Sequence, residues 1–360
     1  MQVVHNDDDL AKAYKTCSAR AKAYFGDGGN IFSRFRFTGA AKITPQITAG
    51  FTYEFGINNN AIGSMNQGNG GDDLGECTNS RLRDSTLWLR HSQLGMVKIG
   101  QGSTATDNLI LIDLGNRSSA ATADTALYNG GFVLRNAAGQ FLPLVGATAG
   151  TWAAAIRGHE SFDTSRRNHV LYETPTLAGF TVQAAVAEDN YWDVALRYAG
   201  EFAGFRLAFG VGYQQDTELN APAGGIAIGA VTVVCGIACD SRSSEIKGSA
   251  SLLHVATGLF VTGAGGNREL DGGAIPYVGP DITWWYVSGG ISKNFFSSGL
   301  NGAWADTQVT QWGVGVTQHI DAAAMELFLS YKNTQFDGLY QGAQQNSDFQ
   351  SVIAGTRINF

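Results

Sequence analysis

The sequence predicts an all-β fold, and within that class a sixteen-stranded antiparallel transmembrane β-barrel. Three observations support it: the composition, an apolar alternation of period two, and an uneven distribution of connection lengths. The 360 residues include 47 Gly, 20 Phe, 12 Tyr and 7 Trp, but only 6 Pro and 15% charged residues. This composition favours strands over helices. No run of about eighteen apolar residues is present, which excludes a transmembrane helix.

The alternation divides the chain into segments that mostly have the ~9–11 residues of a tilted membrane strand. It is clearest at 46–57, where Phe51 and Phe55 fall on one face and Thr48 and Glu54 on the other. The pattern leaves open which face is inside, because a sandwich buries its apolar face and a barrel turns it to lipid. The predicted strands are 16–26, 30–42, 46–57, 81–92, 95–102, 166–174, 178–187, 191–200, 203–215, 243–255, 258–265, 282–293, 299–307, 309–319, 323–334 and 348–360.

Connection lengths separate the two ends of the predicted barrel. Every connection that follows an even-numbered strand is short, whereas all the long connections follow odd-numbered strands; those after the first, seventh and thirteenth strands are also short. Outer-membrane barrels have short periplasmic turns and longer outward loops. The predicted short turns lie at 44–46, 92–94, 175–177, 200–202, 256–257, 295–298 and 321–322.

Aromatic residues add to the membrane interpretation. The last strand ends the chain on Phe360, as outer-membrane barrels usually end, and we assign Phe360 as an assembly signal. Other aromatics near strand ends suit the two interfacial girdles, although ordinary sheet aromatics are the alternative. These residues are Tyr191, Trp192, Tyr198, Trp284, Trp285 and Trp312.

Charge and the N-terminal residues exclude other classes. The net charge of -7, with no basic run, argues against a nucleic-acid-binding protein. Residues 1–10 have neither a basic start nor an apolar core, so this chain is expected to carry no signal peptide. We predict a single domain over 1–360, with 1–15 as a periplasmic segment and 103–165 as a long loop.

Cysteines and histidines give little sign of metal or catalytic chemistry. Cys235 and Cys239 are predicted to form a disulfide, with two free thiols as the alternative and zinc disfavoured by the absence of a nearby His. Cys17 and Cys77 are left unpaired. We predict no catalytic residues, no metal and no enzyme activity; a hydrolase assembled from distant strands is the weaker alternative, with His169 and His319 to check.

Several segments resemble the Gram-negative general diffusion porins of the outer membrane. Residues 166–180 match a strand-turn-strand unit of the form Arg-x-x-x-x-x-Tyr-(acid)-(Ser/Thr)-Pro-Thr-x-x-Gly-Phe. Residues 192–205 are similar to the next hairpin, and 33–42 and 94–107 resemble an early hairpin and the strand entering the third loop of alphaproteobacterial members. A short first loop, 26–29, departs from that pattern.

This resemblance implies a sixteen-stranded barrel in the cell outer membrane, usually a homotrimer, that passes small hydrophilic solutes and ions by passive diffusion. It also implies that the third loop, here Ser103 to Ser165, folds inward and narrows the pore. Expected partners are membrane lipid and lipopolysaccharide, the barrel assembly machinery and the solutes, without nucleic acid or a cofactor. For the acidic residues of the second loop, Asp72, Asp73 and Glu76, a contact with a divalent cation on lipopolysaccharide or with a neighbouring subunit is the weaker expectation, and a solvated loop is the alternative.

The parity of the strands predicts the residues that line the pore. A lipid-facing cation costs about 2–4 kcal/mol at the midplane, so the wall cations are assigned to the lumen. We expect this basic wall to face an acidic loop across the constriction, with pairing of Arg34 and Arg36 to wall or loop carboxylates as the alternative. The wall residues are Arg34, Arg36, Lys98, Arg197, Arg206 and Arg357, together with Arg90, whose face the alternation of Leu87, Trp88 and Leu89 leaves open; the loop residues are Asp107, Asp113 and Asp124.

Two functional alternatives stay open from the sequence. One is a substrate-specific channel, in which the same barrel would add a saturable solute site. The other is a structural or adhesive barrel that acts through its second, fifth and sixth outer loops. Ion preference is not deducible at this level, because the chain is acidic in total while the predicted wall is basic.

Overall fold

The computed structural model describes residues 2–7, 22–26, 33–57, 80–115, 122–123, 132, 166–188, 190–217, 226–228, 231–233, 242–271, 281–291, 295–304, 308–320, 324–340 and 343–358. Most of these residues are in strands. Within the described ranges, no helix has the length and apolar character needed to cross a membrane.

Nineteen strands are described. Seventeen of them belong to one antiparallel sheet, and β11 and β12 form a separate hairpin. The strands are β1 (Gln2–Asp7), β2 (Lys22–Gly26), β3 (Ser33–Lys42), β4 (Ile47–Ile57), β5 (Ser80–His91), β6 (Gly95–Gly102), β7 (Arg167–Glu173), β8 (Phe180–Ala187), β9 (Tyr191–Phe202), β10 (Phe205–Asp216), β11 (Ile226–Ile228), β12 (Val231–Val233), β13 (Arg242–His254), β14 (Leu259–Asp271), β15 (Asp281–Ile291), β16 (Phe295–Trp304), β17 (Gln308–Ile320), β18 (Met325–Tyr340) and β19 (Ala343–Ile358).

The order of pairing is that of a sheet rolled into a barrel. Each strand from β3 to β10 pairs with the next, β10 pairs with β13, and the series continues to β19. From β19 it passes through β1 to β2, which directly precedes β3 in the chain. In this seventeen-stranded order β4 and β14 are eight pairings apart, so they lie on opposite sides of the barrel.

Exposure identifies the outer face of the sheet. On β18, Leu327 and Leu329 are 40% and 53% exposed, whereas the alternating Glu326 and Ser330 are each 3% exposed. The same inversion runs along β13, where Ile246 is exposed between buried Glu245 and Lys247. A barrel in water would not present this belt of large apolar side chains, whereas a barrel in lipid requires it. The predicted all-β antiparallel transmembrane fold is therefore confirmed.

The sheet differs from the sequence prediction by one strand. Residues 1–15 were predicted to be a periplasmic segment, but Gln2–Asp7 pairs with both β19 and β2, giving seventeen strands rather than sixteen. A short strand is held by backbone hydrogen bonds, which leave no signature in the side-chain pattern. The predicted turn at 295–298 is also wrong, because β16 already begins at Phe295.

Another turn lies a little further along the chain than predicted. The connection expected at 200–202 is a two-residue turn at Ala203 and Gly204, which have φ angles of 49° and 80°. Two positive φ angles define the hairpin turn whose twist matches that of the flanking strands, and glycine adopts it without a steric penalty. Ala178 and Gly179 repeat the arrangement between β7 and β8.

Two of the predicted girdle aromatics are inside the barrel instead. Tyr191 and Trp284 are buried, whereas Trp192, Trp285 and Trp312 are exposed on the apolar face. Adjacent residues of a strand point to opposite faces, so only one of Trp284 and Trp285 can face lipid.

A charge on the apolar face of β3 should destabilise the barrel far more than a charge on its polar face. Phe37 is 60% exposed on the apolar face near the middle of the strand, and the adjacent Thr38 is exposed on the polar face. We expect Phe37→Arg to lower the free energy of unfolding by about 2–4 kcal/mol and Thr38→Arg to leave it nearly unchanged. Urea unfolding in phospholipid vesicles measures both values; equal destabilisation by the two changes would contradict the assigned faces.

Candidate functional site

Three arginines and one glutamate form a cluster on the inner wall of β3, β4 and β5, which we call the arginine cluster: Arg34, Arg36, Arg83 and Glu54. Glu54 is buried and accepts from Arg34 Nη1 at 3.4 Å, from Arg36 Nε at 2.8 Å and from Arg83 Nε at 2.9 Å. A second guanidinium nitrogen of Arg36 also donates to Glu54. The side chains of Arg34 and Arg36 nevertheless remain 45% and 54% exposed. The cluster therefore presents positive charge to the lumen.

A β-bulge brings Arg83 into the arginine cluster. Glu54 is opposite Asp84 and Phe55 is opposite Leu82, so Arg83 has no register partner on β4. A bulge of this kind re-aims a side chain that strict alternation would send to the other face. Sequence reasoning missed Arg83 for this reason, because the period-two pattern assumes an unbroken strand.

The arginine cluster carries more positive than negative charge. Three guanidinium groups share one carboxylate, which leaves two net positive charges. Counting the neighbouring Asp84, whose Oδ1 accepts from the Thr86 hydroxyl at 2.6 Å, one net positive charge remains.

The cations continue along the same wall below the arginine cluster. Leu87 and Leu89 are exposed on the apolar face, which sends Trp88 and Arg90 of β5 into the lumen. The Arg90 guanidinium carbon is 5.8 Å from the centre of the Trp88 ring. Lys98 on β6 is opposite Trp88 in the strand register.

The long connection after β6 enters the barrel and is fastened to its wall by Asp193 of β9. The Asp193 carboxylate accepts from the backbone N–H groups of Ala105 and Thr106 at 3.2 and 2.8 Å, and from the Thr106 hydroxyl at 2.8 Å. The Tyr191 hydroxyl donates to the same carboxylate at 2.9 Å. All four residues are buried, so each of these hydrogen bonds is shielded from water.

Further contacts carry the loop across β9, β13 and β14. Arg197 Nη2 donates to the carbonyl oxygens of Ala105 and Asp107 at 3.0 and 2.6 Å. Ser249 donates to the Leu109 carbonyl, and the Leu114 N–H donates to Ser251 Oγ at 2.9 Å. Thr262 Oγ1 donates to Asp113 Oδ1 at 3.0 Å. The predicted inward fold of the third loop is confirmed for residues 103–115.

The inner face of β10 is shaped to receive this loop. A short 3-10 helix, Leu109–Leu111, lies against Gly210 and Gly212. A Cβ atom added to Gly210 would be 2.5 Å from Leu109 Cδ2, and one added to Gly212 would be 2.6 Å from Leu109 Cδ1. Ile110 packs beyond them with Trp284 and Tyr286 of β15. Apolar packing therefore supplements the polar contacts of the loop.

The passage lies between the docked loop and the arginine cluster. The loop contacts the wall of β9, β10, β13, β14 and β15, whereas the arginine cluster lies on β3, β4 and β5. Because β4 and β14 are on opposite sides of the barrel, the two face each other across the lumen, and we call the space between them the passage. The cluster is also level with the start of the loop, since the Asp84 carboxylate lies beside Gly102, the last residue of β6.

The predicted pore residues divide into two groups. Arg34, Arg36, Arg90 and Lys98 lie on the inner wall. Four more are held by contacts elsewhere in the fold or are buried: Arg197 holds the loop, Arg206 pairs with Glu201 at 2.8 Å, Asp107 is buried, and Asp113 is hydrogen-bonded to Thr262. Wall pairing of Arg34 and Arg36, the alternative considered above, thus accompanies their exposure. The assignment of these residues to the constriction stays a prediction.

The remaining predicted residues belong neither to the arginine cluster nor to the contacts of the docked loop. Arg357 is on the inner face, with Nη1 3.8 Å from Glu326 Oε2. His169 and His319 are on β7 and β17, which are eight pairings apart in the seventeen-stranded order, so they do not lie together. No group of three His, Cys, Asp or Glu side chains suited to a metal occurs in the described part of the chain. Asp124, Cys17, Cys77, Cys235, Cys239, Phe360 and the loop acids Asp72, Asp73 and Glu76 lie outside the described residues.

Comparison of the sequence with protein families gives one match that spans nearly the whole chain. Residues 9–349 match the profile of the family described as Gram-negative porin. Among curated protein sequences, none is significantly similar to this chain.

Solved structures of outer-membrane proteins share the fold at low sequence identity. An anion-selective porin from Comamonas acidovorans is 17% identical, with a TM-score of 0.60, over 100% of this chain and 96% of that one. The trimer form of OmpT from Vibrio cholerae is 14% identical, with a TM-score of 0.56, over 98% and 96%. OmpF from Salmonella typhi, in complex with daunomycin, is 12% identical, with a TM-score of 0.55, over 99% and 95%.

Proposed function

The chain belongs to the Gram-negative porin family, and from that premise we propose that its pore prefers anions and that the arginine cluster sets this preference. As a member of the family it is an outer-membrane β-barrel channel for the passive diffusion of small hydrophilic solutes. The family membership does not fix which ions pass more readily. That property depends on the charges that this chain places at its narrowest point.

The main support for this proposal is that the arginine cluster has more guanidinium groups than carboxylates and that two of these groups are exposed to the lumen. Arg34 and Arg36 are about half exposed, while the single glutamate they share is buried behind them. On the loop side, Asp107 is buried, and Asp113 accepts hydrogen bonds from Thr262 and from the backbone of Gly115. An ion in the passage therefore meets accessible positive charge more directly than accessible negative charge. One of the similar structures is of an anion-selective porin, which is in keeping with this proposal.

The mechanism is electrostatic and needs no solute-specific contact. Walls of low dielectric concentrate the field of the arginine cluster in the passage, which raises the local concentration of anions and lowers that of cations. Uncharged hydrophilic solutes pass according to size. The opposite placement of loop and arginine cluster also creates a field across the passage, which would orient dipolar solutes.

Further properties are proposed along with this function. We propose a homotrimer, since the similar OmpT structure from Vibrio cholerae is of a trimer form, and we propose that the barrel has no catalytic activity and needs no cofactor. Contacts with lipopolysaccharide and recognition of Phe360 by the barrel assembly machinery are proposals of the same kind. A channel that conducts poorly while its outer loops bind other surfaces would favour the structural alternative.

The zero-current potential of the wild-type protein in a planar bilayer tests the ion preference. Under a KCl gradient we expect a potential displaced toward the chloride equilibrium value, because anions pass the arginine cluster more readily than cations. The displacement should shrink near 1 M salt, where the screening length falls to about 3 Å from about 10 Å at 0.1 M. A displacement toward the potassium value would contradict the anion preference, and a folded barrel without conductance would contradict the channel itself.

A further inference from the structure

An indole ring lies on the wall of the passage, on the periplasmic side of the arginine cluster. Trp88 is four residues after Asp84 on β5, which at about 3.3 Å per residue places it about 13 Å further toward the short periplasmic turn at 92–94. Its ring is only partly buried and faces the lumen, unlike Trp285 and Trp312, which face lipid. An aromatic surface in a water-filled lumen is an unusual use of an apolar side chain.

The neighbouring strand is built to let this ring lie against the wall. A Cβ atom added to Gly50 would be 2.2 Å from Trp88 Cζ2 and 2.6 Å from Trp88 Cε2. The indole therefore occupies the space that any other residue at position 50 would fill. Glycine within a strand is destabilising relative to alanine, and the contact with the ring offsets that cost. The ring is thus held close to the sheet, with its remaining surface toward the passage.

Two cations flank the ring. The Arg90 guanidinium carbon is 5.8 Å from the ring centre, and Arg90 itself is exposed to the lumen. Lys98, opposite Trp88 in the register, has its side chain on the same inner face. An aromatic surface beside two cations is complementary to an aromatic carboxylate, which has a planar ring and a negatively charged group. Its ring would stack on the indole, and its carboxylate would accept from the guanidinium or the ammonium group.

We propose that Trp88, Arg90 and Lys98 form a binding site for aromatic carboxylates that enter the pore. The site rests on the proposed function, since an anion must be able to enter the passage in order to reach it. Aromatic carboxylates would bind there weakly and saturably, whereas other small solutes would cross the channel without binding. The site lies wholly on the wall of β5 and β6 and does not involve the docked loop.

The test compares three carboxylates as blockers of KCl conductance through the purified porin in a planar bilayer. Benzoate should reduce the single-channel conductance in a saturable way, whereas cyclohexanecarboxylate, of the same charge and similar size, and acetate should have far weaker effects. In Trp88→Leu the benzoate concentration needed for half of the block should rise about tenfold, and Trp88→Phe, which keeps an aromatic ring, should retain most of the block.

Two further variants complete the test. Gly50→Ala should weaken the benzoate block like Trp88→Leu, because its Cβ would be 2.2 Å from Trp88 Cζ2 and 2.5 Å from the Gly39 carbonyl oxygen, so that both the ring and the wall behind it must shift. Trp285→Leu, which changes a lipid-facing tryptophan, should leave it unchanged. Equal block by benzoate and cyclohexanecarboxylate, or a full benzoate block in Trp88→Leu, would overturn the aromatic site while the anion preference in KCl stood. Cation preference in KCl without any benzoate block would overturn both proposals.

Discussion

Replacing Arg34 and Arg36 together by alanine is expected to turn the pore from anion preference to cation preference. The change removes two guanidinium groups that are about half exposed and leaves Glu54 paired with Arg83, beside Asp84. The local balance, counted with Asp84, falls from one net positive charge to one net negative charge. A change of this sign on the wall that faces the docked loop is expected to reverse which ion is favoured.

Coulomb's law sets the expected size of this effect. Two unit charges about 8 Å from a permeating ion contribute together about 1 kcal/mol in water. The sign is opposite for chloride and potassium, so the ratio of their permeabilities should fall about tenfold or more. The zero-current potential under a KCl gradient measures that ratio directly.

Two matched variants separate charge from other causes. Arg34→Lys with Arg36→Lys keeps both charges while losing the planar guanidinium groups, and it should preserve the anion preference. Arg206→Ala also removes one arginine from the wall, but Arg206 is paired with Glu201 next to the turn between β9 and β10, so its effect should be small. An unchanged potential in the double alanine variant would contradict the role of the arginine cluster.

The sequence predicted the direction of the side chains better than it predicted their partners. Period-two alternation placed Arg34 and Arg36 on the inner face, because the direction of a side chain in a regular strand is a local property. It missed Arg83, since a bulge shifts the alternation where Glu54 meets Asp84. It also left Arg90 uncertain, which the exposure of Leu87 and Leu89 resolves.

The alternation of the strands could not predict roles that come from contacts between distant parts of the chain. Asp193 looks like any other inward-facing polar residue of a strand, yet its partners Ala105 and Thr106 are nearly ninety residues earlier in the chain. Gly212 likewise has a role that depends on a distant residue, because the absence of its side chain leaves space for Leu109. Alternation contains no information on which loop returns to which wall, so neither role had a signal in one sequence.

Replacing Asp193 by alanine is expected to release the constricting loop from the wall. The carboxylate accepts three hydrogen bonds from the loop, two from backbone N–H groups and one from the Thr106 hydroxyl. A hydrogen bond to a charged group contributes about 1.5–3 kcal/mol, and buried donors left without an acceptor add a further penalty. Because a docked loop opens locally at a smaller cost in free energy than the whole barrel, the docked state should lose most of its population.

Permeation of neutral sugars of increasing size into proteoliposomes measures the release. Asp193→Ala should admit sugars that the wild type excludes, and single-channel recordings should show larger, noisier conductance steps. Neutral sugars are the appropriate probe, because the lost charge at Asp193 has no direct effect on them. Glu201→Ala changes an exposed acid on the same strand, away from the loop, and should leave the size limit unchanged.

A second variant reaches the same state without any change of charge. Gly212→Val places a side chain where Leu109 Cδ1 would be 2.6 Å from the new Cβ, with the Val194 carbonyl oxygen 2.8 Å away on the wall side. The wall is held by the barrel hydrogen bonds, so the loop is the part that must move. If both variants keep the wild-type size limit, the segment 103–115 does not set the width of the pore. If only Asp193→Ala widens it, the hydrogen bonds rather than the packing of Leu109 hold the loop in place.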